Sequence, residues 1–387
     1  MSEWPMVKLG EVCKINPRRD KSITSSTEIS FIEMKSLLEN GNVHPVTVPV
    51  GKYLKGYTPF QKHDILIAKI TPCFQNGKIG LANIDTDFGF GTTEFHVVRS
   101  GETLSPEYLT FFLRQQWILD AGEKCMTGSG GQRRVPKAFL ENLKLPLPPF
   151  GEQKRIAEIL GGASKAINEI RTEIKRVELL CGAVVSLYAE DQSTKKLEDL
   201  ATLSGGLSLG SHRKNKPHSV GYLRVANVFW GKILYDEIKE LNCTDQEFER
   251  TLLQDGDVLI TEAHANRFQV GRSAVFRGEE QALVFQNHLF RARPNKNIDS
   301  DVLAAMLSSV AVRRQLYQMT KTTSGLNTIS ISQVRSLRVP VLDTTKQAEL
   351  LSFLQESNKL NYLLHRKLSL LQELQKSLSS RAFAGLL

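Results

Sequence analysis

The chain is written twice. Lys8-Leu9-Gly10-Glu11-Val12 returns as Lys196-Leu197-Glu198-Asp199-Leu200, and Asp64-Ile65-Leu66-Ile67 returns as Asp257-Val258-Leu259-Ile260. Gly77-Lys78 returns as Gly271-Arg272, and Leu143-Lys144-Leu145-Pro146 as Leu337-Arg338-Val339-Pro340. Gln153 and Gln347 set the offset at 194 residues (347 − 153), and 271 − 77 gives the same value. An offset near half of 387 residues means two copies of one domain and its connector, used as a pair. Two similar domains held apart by something stiff suit a reader of two separated sites.

Composition sets the outer bounds. A chain of 387 residues exceeds one ordinary core, so two domains with helical connectors is the natural division. A net charge of +9 favours an acidic partner, nucleic acid before an anionic membrane. The start, Met1-Ser2-Glu3-Trp4-Pro5, lacks the charged leader and apolar stretch of a signal peptide. The longest apolar-looking run, 179–189, is about half of what a membrane span needs. Cys13, Cys73, Cys125, Cys181 and Cys243 are scattered and include no C-x-x-C pair. That spacing argues against a disulfide framework or a structural zinc site, and for a reducing cytosol.

Each copy reads as a mixed domain followed by a long helix, giving domains at 1–150 and 191–344 and helices at 151–190 and 345–387. In the domains, 64–68, 80–84, 95–98, 257–260 and 273–276 read as strands, and 107–117 and 301–317 as one helix per copy. Past Pro146-Leu147-Pro148-Pro149, apolar residues recur in steps of three and four. They include Ile156, Leu160, Ile167, Ile170, Ile174, Val177, Leu180, Val184 and Leu187. The second copy repeats the pattern through Leu354, Leu360, Leu363, Leu364, Leu368, Leu371, Leu374 and Leu378. Such spacing predicts a two-stranded helical seam. The economical arrangement is that the two helices pack on each other, antiparallel because both follow equivalent domains. Some 36 residues make a rod on the order of 50 Å, longer than one turn of B-DNA at about 34 Å.

Signals for catalysis are weak. No phosphate-cradling G-x-x-x-x-G-K-[ST], no H-E-x-x-H and no clustered His/Cys set is present. Gly206-Leu207-Ser208-Leu209-Gly210 matches a nucleophile elbow, but a basic loop ending in Pro217 follows where a helix is needed. Asn16-Pro17-Arg18-Arg19 lacks the second proline and the aromatic of an adenine-methyltransferase loop.

The loops fit nucleic-acid reading instead. Arg, Lys, Asn and Gln read base edges, and Lys, Arg, Ser and Thr hold phosphates. The first copy offers Lys69, Thr71, Gln75, Asn76 and Lys78 in one loop, and Thr92 and Thr93 before a strand. Ser129, Gln132, Arg133 and Arg134 form a Gly-rich basic loop. At matching places the second copy has Asn266, Arg267, Gln269 and Arg272, then Gln286, Asn287 and His288, then Ser324 and Asn327. The early clusters Lys14, Arg18, Arg19 and Arg213, Lys214, Lys216 are candidates for phosphate. The frame repeats while the tips differ, as two domains reading different sequences would; drift of solvated loops would look the same.

This layout resembles the specificity (S) subunit of type I restriction-modification enzymes over the whole chain. The most specific local echo is P-P-x-x-E-Q-x-x-I, here Pro148-Pro149 with Glu152-Gln153 and Ile156. The second copy departs from it, with Val341-Leu342-Asp343 in place of the prolines and only Gln347 and Leu350 kept. The resemblance implies an α+β chain with two similar mixed α/β target-recognition domains separated by two long antiparallel coiled-coil-like helices. It implies a non-catalytic reader of double-stranded DNA, each domain taking one half of a split target. The helices would set the gap and dock two methyltransferase (M) subunits. It places S-adenosylmethionine, ATP and Mg²⁺ on partner chains, with restriction (R) subunits completing a cytoplasmic bacterial or archaeal complex and no membrane. Two other readings stay open: a component with its own methylase or nuclease activity, and a protein-binding scaffold.

Overall fold

The computed structural model describes residues 4–24, 26–129, 131–278, 282–323 and 325–387. The chain divides into two compact units, Met1–Ile170 with Lys367–Leu387, and Arg171–Arg366.

In the first unit the central sheet runs Cys13–Ile15, Phe95–Ser100, Ile65–Ala68, Ile79–Leu81, all antiparallel. Every residue of Ile65–Ala68 is buried. Ile65 and Ile67 enter the core with Leu109, Phe112 and Leu113, while Leu66 and Ala68 enter another with Ile32, Leu37 and Phe60. Side chains alternate across a strand, so a strand covered on both faces must be apolar throughout, which is why this run lacks alternation. A second sheet holds Val46–Pro49, Glu28–Ile32, Phe88–Gly91 and Thr58–Gln61, with its middle pair parallel. Met6–Lys8 pairs with Lys144–Pro146 and closes the domain beside the long helix.

The second unit repeats this wiring. Its central sheet is Ala201–Gly205, Leu289–Pro294, Val258–Thr261, Ser273–Val275. Its smaller sheet is Lys239–Cys243, His218–Leu223, Leu283–Phe285, again with one parallel pair. Thr194–Lys196 closes on Arg338–Pro340. In the second unit the helix Asp245–Thr251 precedes the segment that matches the first unit's edge strand Thr58–Gln61.

Repeated residues hold the repeated frame. Asp64, buried, takes a two-pronged bond from Arg99 (Nε 2.7 Å, Nη2 2.7 Å) and one from the Gln61 amide at 2.7 Å. Asp257 takes the same set from Arg293 (2.7 and 2.8 Å) and the Gln254 amide at 2.8 Å. A carboxylate beneath a packed strand is tolerated because paired, hydrogen-bonded charge offsets its desolvation.

The one-helix expectation is corrected in both copies. Pro106–Leu113 and Gln116–Lys124 are separate helices, as are Ser300–Ser308 and Val310–Met319. Gln115 and Ser309 adopt extended ψ near 137° and 151°, which ends one helix and starts the next without disturbing the apolar spacing.

Both long helices span 40 residues, Phe150–Ala189 and Thr344–Phe383. Each contributes part of its length to each unit, and within each unit the two segments run antiparallel. In the first unit Gln375 Nε2 donates to Ser164 Oγ at 2.6 Å, and Arg155 reaches the Leu387 carbonyl at 3.0 Å. In the second, Tyr188 donates to Glu349 at 3.2 Å. Ile156, Leu160, Ile167, Ile170 and Ile174 are buried. Val177, Leu354, Leu364, Leu368, Leu371 and Leu378 are half-buried on the same spacing. Leu180, Leu187, Leu360, Leu363 and Leu374 do not join the seam and are exposed. A strict three-four alternation excludes them: on the second helix the seam passes through polar Ser357, Asn361 and Gln375 instead.

Candidate nucleic-acid interface

The candidate loops lie at one end of each central sheet. There the backbone is duplicated bond for bond. Lys69 N–H donates to the Glu94 carbonyl at 2.9 Å, and Glu262 N–H donates to the His288 carbonyl at 3.0 Å. Val135 N–H reaches the Lys69 carbonyl at 2.9 Å, and Ile329 N–H the Glu262 carbonyl at 3.0 Å. One scaffold position therefore carries Lys69 beside Glu94 in the first unit and Glu262 beside His288 in the second. The charge pattern is exchanged on an unchanged backbone.

In the first unit this region is a network of carboxylates and cations. Arg134 grips Glu94 through Nε and Nη2, each at 2.8 Å. That guanidinium is the main reason the Glu94 carboxyl lies below the usual range, with Lys69 adding a smaller pull. Gln75 donates to Thr71 Oγ1 at 3.1 Å and to Glu123 at 3.3 Å, and Arg133 reaches the same carboxylate at 3.4 Å. Asn76 is bonded to Glu39 at 2.9 Å yet remains exposed. Thr92 is half-buried and accepts from the Glu94 amide, while Thr93, Ser129 and Gln132 are exposed.

Asn16 explains the Asn-Pro stretch that superficially matched an enzyme loop. It adopts a left-handed φ of 54°, accepts from the Val97 amide at 2.9 Å, and contacts His96 Nδ1 at 3.1 Å. It pins the exposed Arg18 and Arg19, and Lys14 just before them, to the central sheet. His96 is buried with Nε2 at 2.8 Å from the Val135 carbonyl, and burial lowers its pKa.

The second unit keeps the frame and changes the chemistry. His288 Nδ1 meets Glu262 at 2.8 Å. Asn266 caps a short turn through the Phe268 amide at 3.0 Å, and Gln269 accepts from Trp230 Nε1 at 3.2 Å. Gln286 and Asn287 are half-buried at the end of the parallel strand. Arg267 lies 4.2 Å over the Tyr317 ring and donates to the Thr320 carbonyl. Sequence reasoning missed the aromatics Phe229, Trp230, Phe268 and Tyr317, all substantially exposed. A Phe-Trp-Gly run at a hairpin turn was the available signal.

Several candidates turn inward, contrary to expectation. Arg213 is buried, bonded to the Ser208 and Asn242 carbonyls and to Glu247 at 3.2 Å. Lys216 holds the same carboxylate at 2.6 and 2.7 Å. The Lys216 bond, then the Thr244 amide and the Arg213 guanidinium, bring the Glu247 carboxyl down to about 2. Of that cluster only Lys214 faces solvent. Lys78 donates to the Met34 carbonyl at 3.1 Å and Arg272 to the Val225 carbonyl at 3.2 Å, so the Gly-Lys and Gly-Arg repeats tie a loop to the sheet. Asn327 is buried, donating to the His264 and Ala265 carbonyls. Ser324 lies outside the described residues.

Among the described residues no group of three or more His, Cys, Asp or Glu is placed to hold a metal ion. No described helix is long and apolar enough to cross a membrane. The five cysteines carry no disulfide, and burial raises the Cys13 thiol to about 12.

A duplicated α+β frame with chemically divergent loops at matching ends defines a class of two-unit repeat proteins. Comparison with known proteins makes that class specific. Residues 1–179 match the family model described as the type I restriction modification DNA specificity domain. The EcoAI specificity subunit of Escherichia coli is 41% identical over 204 residues, covering 51% of this chain and 34% of that one. The EcoKI specificity subunit of E. coli K12 is 25% identical over 314 residues, 75% of this chain and 67% of that one. The chain thus spans about a third of the length of the first of these relatives. A solved structure from work on complex assembly of the type I R-M system shares the fold over 99% of this chain and 98% of that one, at TM-score 0.63 and 21% identity. The S subunit from M. genitalium does so over 98% and 96%, at 0.52 and 14%. Residues 1–179 thus match the DNA specificity domain, and the chain is similar to type I restriction-modification specificity subunits.

Proposed function

We propose that this chain is the non-catalytic DNA-specificity component of a type I restriction-modification assembly. Each unit reads one half of a bipartite duplex target. The observation that carries this is the exchange of Lys69 and Glu94 for Glu262 and His288 on matching backbone bonds. Different hydrogen-bonding chemistry on one scaffold is what two different half-sites require. Phosphate contact falls to the exposed cations Lys14, Arg18, Arg19 and Lys214, and base-edge contact to loop tips such as Asn76, Gln132 and Asn266. The long helices set the gap and present exposed leucines such as Leu179, Leu180, Leu360 and Leu370 to methyltransferase subunits. Those subunits carry S-adenosylmethionine and the adenine chemistry; restriction subunits add the ATP- and Mg²⁺-dependent steps in the cytoplasm.

The test is to express the chain with a type I modification subunit and map methylated adenines in cellular DNA. A split motif of fixed gap that appears only with this chain supports the reading. Complex formation without any motif refutes it as a specificity component.

A further inference from the structure

The two units differ sharply at one matched position. Phe74 and Phe268 stand 194 residues apart, each three residues before the left-handed glycine of its repeat, Gly77 or Gly271. Phe74 is 1% exposed and lies in the core of the first unit. Phe268 is 65% exposed, and Val270 takes the core position of the second unit in its place.

Phe268 is exposed but held. Its amide is bonded to Asn266 Oδ1 at 3.0 Å, and its carbonyl accepts from Arg313. Its ring stacks on Tyr317 at 5.1 Å and 25°. Trp230 extends the patch, lying under the Arg313 guanidinium at 4.3 Å, and Phe229 lies under Arg272 at 5.0 Å. An aromatic surface fixed this firmly in water is built for contact.

The charge around it selects the partner. The hydrogen bonds of Arg267 and Arg313 go to backbone carbonyls, and neither is ion-paired among the described residues. In the first unit the matching region is neutralised by Glu94 and Glu123. Uncompensated guanidinium charge beside aromatic rings fits a polyanion better than an ordinary protein surface. Asn266 and Gln269 flank the ring with the amides that hydrogen-bond base edges. An aromatic ring cannot hydrogen-bond those edges. The apolar feature that duplex DNA offers in its major groove is the thymine C5-methyl group. One face of Phe268 is already covered by Tyr317, which favours a lateral contact over a wedge between base steps.

Resting on the reading proposed above, we infer that Phe268 contacts the C5-methyl group of a thymine in the half-site read by the second unit, with Tyr317 as its support.

The test uses the full chain in complex with modification subunits. Duplexes selected from a random pool give the split motif. Each thymine of each half is then replaced by deoxyuridine, which removes only the methyl group. Wild type is expected to lose about fourfold in affinity at one thymine of a single half, the worth of one buried methyl group. Phe268→Ala is expected to bind the parent duplex on the order of tenfold more weakly and to be indifferent to that replacement. Phe268→Leu, which keeps an apolar tip, should retain part of the sensitivity. If wild type is insensitive to deoxyuridine at every thymine, or Phe268→Ala keeps the wild-type sensitivity, the inference is overturned while the proposed function stands. Unchanged DNA binding by Phe268→Ala with loss of subunit co-purification also overturns it, assigning the patch to a protein. If wild type selects no split motif, the proposed function falls and the inference falls with it.

Discussion

At the scale of single residues, the motifs easiest to see in the sequence turn out to be architectural. Asp64, Asp257, Lys78 and Arg272 recur because the frame needs them, and all four are spent on internal bonds. Residues that distinguish the units recur in no motif, so repetition could not reveal them. Two predictions belong here. Arg213→Ala removes one partner of a buried charge cluster and should destabilise the second unit by about 3 kcal/mol, seen as a lower denaturation midpoint. Lys214→Ala should leave stability unchanged and reduce the salt slope of DNA binding by about 1. His96 gives a pH prediction. Burial holds its folded pKa below the ordinary histidine value of about 6.5, so folding favours the neutral ring. The stability it contributes is full above about 6.5 and is lost as pH falls toward the folded pKa. Thermal melts from pH 7 down to 5 should therefore fall more steeply for wild type than for His96→Gln; parallel slopes would refute the assignment.

At the scale of elements, the long helices were legible from their apolar steps, because a seam demands a strict period. Their leucine content was misleading: exposed Leu180, Leu187, Leu360, Leu363 and Leu374 fall off that period. The break at Gln115 and at Ser309 was invisible because one extended residue shifts the helical phase little. The repeated glutamine was legible as a landmark, but its role lies in bonds that only the fold brings together. Gln153 accepts from the Ser105 amide at 2.8 Å and donates to the Thr103 and Pro148 carbonyls, both at 2.9 Å. Gln347 does the same with the Asp299 amide and the Asn297 and Leu342 carbonyls at 3.0–3.3 Å. The second unit thus joins its helix as the first does, despite losing the prolines. Gln153→Ala strands three buried groups and should cost about 2–4 kcal/mol in chemical denaturation, with Gln347→Ala costing less at its more exposed site. Gly162 points into open space within the first helix, so Gly162→Ala should stabilise by about 1 kcal/mol. A loss of stability there would mean that the helix needs the glycine for a close approach.

At the scale of the whole molecule, duplication makes its own prediction. Matching backbone bonds at Lys69 and Glu262 mean that recognition loops can change without disturbing the frame that carries them. Exchanging residues 1–150 for the corresponding domain of another family member should therefore alter one half of the methylated motif and leave the other half intact. Motif mapping in cells reads both halves at once, and a change in both would show that the units do not read independently. The helices predict the gap. At about 1.5 Å per residue, four residues amount to about 6 Å, or roughly two base pairs at about 3.4 Å each. Four residues are also close to one turn of 3.6, so the seam residues beyond the cut return to nearly the same face. Deleting four residues from 170–180, with four from the matching stretch of the second helix, should shorten the gap by about two base pairs and leave both half-sites unchanged. A gap that stays fixed while methylation persists would mean that DNA bending or the partner subunits set the spacing.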